Sequence, residues 1–181
     1  MNRRSRRERI LASPRWRGGS FTNTHPVAPG FKPGVKRPSM RELICGTARQ
    51  FPVAPLPLVD PIPTWRRAPQ SGLRLTRLGH STLMIEIDGA RFLTDPVWGE
   101  RASPLPFAGP RRFHPPPVML DALPPLDAVI ISHDHYDHLD RPTIRQFVLS
   151  DVPFITSLGV GATLENWGIA PDRITELDWW E

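Results

Sequence analysis

The stretch Leu126-Asp127-Ala128-Val129-Ile130-Ile131-Ser132-His133-Asp134-His135-Tyr136-Asp137-His138 runs a short β-branched segment straight into a cluster of imidazoles and carboxylates. An apolar run without polar alternation is the pattern of a strand buried on both faces. It delivers the chain into His-x-His-x-Asp-His, at a strand end where a rigid sheet can aim side chains. His133 and His135, two apart in an extended turn, can share one metal ion. Asp137 and His138, beyond the bend, can serve a second. Imidazole with carboxylate suits zinc, with iron or manganese as alternatives because the carboxylate is a hard ligand. The whole chain has 6 histidines, and three within this block are too concentrated for a chance polar loop. Asp134 reads as a carboxylate supporting a ligand or as a general base, and Tyr136 as a packing residue.

Reading outward, Asp140-Arg141-Pro142-Thr143 is a helix start, with Asp140 as N-cap and Pro142 in the first turn. That helix is expected to reach about Ser150. A strand over 153–157, a helix over 161–167 and a strand over 173–178 follow. On the other side, residues 73–78 alternate apolar and polar as a half-buried strand does, and Gly79-His80-Ser81 breaks the run. Strands over 82–87 and 91–94 flank Asp88-Gly89, the dipeptide of a tight hairpin turn. Asp95-Pro96 ends the last of them. Residues 96–125 are too rich in proline for regular structure and predict a long surface loop, of the kind that is often functional. This order predicts an α/β layered domain over residues 71–181.

Residues 1–70 read differently. Of the 23 prolines, eleven lie between Pro14 and Pro69, and the periodicity is weak, so the segment predicts an extended or disordered basic arm. One short helix is expected over residues 39–50, with Ser39 as N-cap and Glu42 three residues on. Residues 1–41 carry eleven Lys or Arg against the single acid Glu8, while residues 42–181 carry twelve against seventeen. The high pI therefore belongs to the arm, and the mildly acidic domain argues against nucleic acid as a partner. The arm's charge points instead to peripheral contact with an anionic lipid surface. The single Cys45 excludes an internal disulfide and a cysteine metal cluster. No apolar run approaches a membrane span, and the basic start lacks the apolar stretch of a secretory signal, so the location read from sequence is cytoplasmic, with a membrane-peripheral variant.

The His133–His138 block resembles the signature of the metallo-β-lactamase superfamily. LGHSTLMIEIDGARFLTDPVW, ERASPLPFAGPRRF, LPPLDAVIISHDHYDHLD and ELDWWE resemble the branch containing N-acyl-phosphatidylethanolamine phospholipase D and its bacterial relatives. The resemblance implies the N-terminal half of an αββα sandwich. It implies two zinc ions, the first on His133 and His135 and the second on Asp137 and His138. It assigns Asp95 the support of the metal loop and places His80 beside the site, so that His80 and Asp134 become the candidate catalytic groups. The implied reaction is hydrolysis of a phospholipid-like phosphodiester by a metal-activated water. Alternatives are an inactive metal-binding fragment, a metal-dependent nuclease or a lactonase. The family pattern continues with further ligands, and His25, His80 and His114 match none of them. The resemblance thus implies a truncated domain with two ligands per ion, weak metal affinity, an open core face and a sheet edge free for self-association. The Trp179-Trp180 pair is expected in the core, with a membrane-facing ledge as the alternative. The sequence assigns a hydrolase lineage without assigning turnover to the chain.

Overall fold

The computed structural model describes residues 3–25, 34, 39, 52–105, 107 and 109–181. Its centre is a six-stranded sheet: β3 (Leu73–Arg77), β4 (Leu83–Ile87), β5 (Ala90–Thr94), β6 (Ala128–Ile131), β7 (Phe154–Ser157) and β8 (Ile174–Leu177), in that spatial order. The first three strands form an antiparallel meander, and β5 to β8 are parallel. Asp88 and Gly89 turn β4 into β5 with φ of 49° and 86°, the two positive values that a tight hairpin turn with right-handed strand twist requires.

Register explains the core. Thr76, Met84, Leu93, Val129, Phe154 and Ile174 are paired neighbours across all six strands, and from Met84 onward every member of the row is buried. Two helices contribute to the same cluster. Helix α3 (Arg141–Ile144) continues as a 3-10 turn through Phe147 and buries Ile144 and Phe147; α4 (Gly161–Asn166) buries Leu164. Asp140 caps α3 by accepting from the Thr143 N–H, as its position before Pro142 predicts. The opposite face of the sheet presents Leu75, Ile85, Phe92, Ile130 and Ile155, which are half-buried or exposed. Short α2 (Ile62–Trp65) tucks Trp65 into the core, where its indole N–H donates to Thr76 Oγ1.

The N-terminal segment departs from the sequence reading. Arg3–Ala12 is a helix, α1, followed by a two-residue hairpin, β1 (Trp16–Arg17) with β2 (Ser20–Phe21). What holds α1 is charge rather than apolar burial. Arg6, 4% exposed, donates to Glu165 on α4 and to Glu176 on β8, and Arg9 donates to the Glu176 carbonyl and the Glu181 carboxylate. Residues 40–50 of the helix expected over 39–50, and Cys45 with them, lie outside the described residues. Among the described residues no helix is long and apolar enough to cross a membrane.

Trp179 and Trp180 are not in the core. They follow β8 in a turn, with Trp180 at φ 69° and 90% exposed, and Trp179 leans on Phe21 at 5.6 Å between ring centroids. The row of core pairs stops at the strand end, so residues past Leu177 have no sheet position from which to point inward.

Glu176 also accepts the N–H groups of Gly159 and Gly161 at 2.8 and 2.9 Å, fixing the entry to α4. A Cβ on Gly161 would meet Glu176 Cδ at 2.8 Å and Ile174 Cγ2 at 3.0 Å. Gly161→Ala should therefore destabilise the fold by about 1–3 kcal/mol, read as a lower urea midpoint; an unchanged midpoint would show that Glu176 is free to move aside.

Candidate metal centre

Parallel pairing puts the ends of β5 and β6 side by side, and the antiparallel β3–β4 connection returns to the same end of the sheet. Three segments therefore meet there: residues 78–82, Asp95 after β5, and residues 132–138 after β6. Each is locked to the next by backbone geometry. Leu78 and Gly79 donate their N–H groups to the Thr82 carbonyl, closing the turn that carries His80. Thr82 Oγ1 donates to the Asp95 carbonyl at 2.7 Å, and the Asp95 N–H donates to Ile130 O at 2.9 Å.

Asp95 is buried and has φ 39°, a left-handed conformation that aspartate tolerates better than most residues. Its carboxylate accepts three hydrogen bonds: from the Ser132 N–H at 2.7 Å, from Ser132 Oγ at 2.7 Å and from His138 Nδ1 at 2.8 Å. Because the Ser132 proton is committed to Asp95, His133 Nδ1, at 2.9 Å from Ser132 Oγ, acts as donor. In a neutral ring that arrangement leaves Nε2 as an unprotonated lone pair at both His133 and His138, the form in which imidazole binds a metal. Burial pushes the His133 pKa down, helped by the neighbouring His138 and His135 and opposed by Asp95 and Asp137, so its neutral form prevails near pH 7.

The sequence-derived residues do come together. His133 lies 4.5 Å from His135 and 4.0 Å from His138 between ring centroids. Asp137 Oδ2 is 3.7 Å from His138 Nε2 and 3.3 Å from His80 Nε2. Asp134 and Tyr136 are exposed and line the cleft above the cluster. An imidazole set oriented through a buried carboxylate, with a further carboxylate beside it, fits a divalent metal ion.

Other contributors were not legible from the sequence. Ser132 connects Asp95 to His133, and its only signal was its place before the block. Asp140, expected only as a helix cap, also accepts the Gly99 N–H at 3.0 Å and the Thr143 hydroxyl, anchoring the proline-rich loop. That loop folds back on itself through an Arg101–Arg111 bridge and Arg112 N–H to Glu100 O at 2.7 Å. Arg112 donates to the carbonyls of Val97 and Gly99; burial lowers its pKa, with Asp140 opposing. The result is an open cleft of ≈ 650 Å³ with His80, His135 and Asp137 on one side and Arg111, Phe113 and His114 on the other.

Residues 90–181 match the family described as Beta-lactamase superfamily domain. An uncharacterized protein of Mycobacterium tuberculosis is 49% identical over 172 residues, covering 92% of this chain and 45% of that protein. N-acyl-phosphatidylethanolamine-hydrolyzing phospholipase D 1 of Caenorhabditis elegans is 44% identical over 117 residues, covering 62% of this chain and 33% of that one. Among solved structures, an isothiocyanate hydrolase from Delia radicum gut bacteria aligns with a TM-score of 0.46 and 32% identity, over 57% of this chain and 40% of that one. The chain thus spans less than half the length of these relatives.

Proposed function

The chain belongs to the β-lactamase superfamily domain family, and from that membership we propose that it is the metal-binding part of a zinc-dependent phosphodiesterase acting on N-acyl-phosphatidylethanolamine-like phospholipids. The observation that carries the reading is the Asp95–Ser132 brace, which presents two imidazole lone pairs beside Asp137 at the mouth of a cleft that also holds an arginine. The nematode relative's hydrolysis of an N-acylated phospholipid supports the substrate class.

His133 and His135 would hold one ion, and Asp137 and His138 the other. Bound there, the ions would supply a water activated near neutral pH and stabilise charge on the substrate oxygens. The chain's own residues supply the rest. Asp95 keeps His138 in one tautomer and orientation. Arg111, exposed at the cleft and 3.4 Å from Glu100, is placed to exchange that weak ion pair for a phosphate oxygen. Val97, Pro110 and Phe113 give the cleft apolar walls for the lipid portion, and Asp134, exposed on the wall, takes or returns a proton. Contact with an anionic membrane surface would draw on basic residues of the first 41 other than Arg6 and Arg9, which are paired within the fold.

The test is incubation of the zinc-loaded chain with vesicles containing N-palmitoyl-phosphatidylethanolamine. Equimolar release of N-palmitoylethanolamine and phosphatidic acid is expected. Intact lipid in the presence of retained zinc would move the reading to the inactive metal-binding fragment. Cleavage of an aliphatic lactone under the same conditions would move the activity to the lactonase alternative.

A further inference from the structure

We propose that His80 is a metal ligand, completing with Asp137 and His138 a three-ligand divalent cation site carried entirely within these residues. The inference rests on reading residues 133–138 as a metal centre and on nothing about the substrate. A zinc ion with ligand bonds of about 2.0–2.2 Å in tetrahedral geometry sets its ligand atoms about 3.4 Å apart. His80 Nε2 lies 3.3 Å from Asp137 Oδ2, and His138 Nε2 lies 3.7 Å from the same oxygen. One ligand atom from each of the three residues falls within 4.8 Å of the others. The two rings meet edge to face at 5.4 Å, which leaves neither stacked over the other's ring nitrogens.

Preorganisation favours a ligand over a mobile surface histidine. The His80 turn is closed by two backbone hydrogen bonds to Thr82 O. Thr82 is buried and holds the Asp95 carbonyl, while the Asp95 carboxylate holds His138. The carboxylate that orients one imidazole is therefore tied through its own backbone to the turn that places the other. An ordinary ion pair between His80 and Asp137 would add little, because both side chains are substantially exposed, at 63% and 43%. Three protein ligands are also the number a catalytic zinc site uses while keeping one position open.

The experiment follows metal uptake by the full chain stripped with a chelator. Isothermal titration with Co²⁺, monitored in parallel by visible absorption, should show affinity reduced about tenfold or more in His80→Ala, with the absorption of the low-coordinate ion diminished. His80 is on the surface, and circular dichroism verifies that the variant is folded. In the wild type, the ¹⁵N long-range spectrum gives a second readout: His80 Nε2 should shift on addition of Zn²⁺ together with His138 Nε2. If His80→Ala takes up Co²⁺ as tightly as wild type, or if His80 Nε2 is unmoved while His138 responds, the His80 assignment is wrong and the metal reading stands. If the wild type takes up no ion, both fail.

Discussion

Arg6→Ala is expected to lower the unfolding free energy by about 3–5 kcal/mol, as a fall in the urea midpoint with little change in slope. The guanidinium is 4% exposed, and its partner Glu176 is 2% exposed. Removing the cation leaves a buried carboxylate that, among the described residues, keeps the N–H groups of Gly159 and Gly161, and an uncompensated buried charge costs far more than the pair contributes. Glu165 loses its contacts with the Arg6 guanidinium at the same time. The double replacement Arg6→Met with Glu176→Gln removes both charges, so it should cost clearly less than the two single changes summed. A loss below about 1 kcal/mol in Arg6→Ala, the range of exposed ion pairs, would mean that α1 does not dock on β8 in solution.

Asp95→Ala is expected to weaken zinc binding about 10–100-fold and to cost about 2–3 kcal/mol of stability. Both follow from one carboxylate accepting from the Ser132 backbone, the Ser132 hydroxyl and His138 Nδ1. Without it His138 loses its fixed tautomer, Ser132 Oγ loses the acceptor that sets its proton, and His133 Nδ1 loses a defined partner. Asp95→Asn separates the two effects. Asparagine tolerates φ 39° and keeps one carbonyl acceptor, so stability should largely return while metal affinity stays reduced. The measurement is competition against a chromophoric chelator alongside chemical denaturation. Wild-type affinity in Asp95→Ala would remove the orienting role.

Local periodicity carried much of the fold. The 73–94 meander, the Asp88-Gly89 turn and the β6 run are encoded in adjacent residues, and their bounds move by a residue or two in the structure. The His133–His138 block was readable for the same reason: its ligand types are contiguous. Contacts across long separations were not readable. Helix α1 has no apolar stripe in its arginine-rich sequence, and its docking depends on Glu165 and Glu176, 159 and 170 positions away from Arg6. The long loop was expected, but its closure over the site depends on Asp140 reaching Gly99 across 41 positions. His80 and Asp95 share no local signal with the block either, and only the family resemblance placed them beside it. The tryptophan pair shows the converse error, since composition favoured burial and the strand's end at Leu177 decided against it.

The central claim is that residues 133–138, braced by Asp95, form a metal centre. Zinc per chain, determined by elemental analysis after dialysis of the purified protein against a weak chelator, tests it most directly. Zinc should be retained at molar equivalence or above in the wild type and lost in His138→Ala. A folded wild-type chain that emerges free of zinc would contradict it.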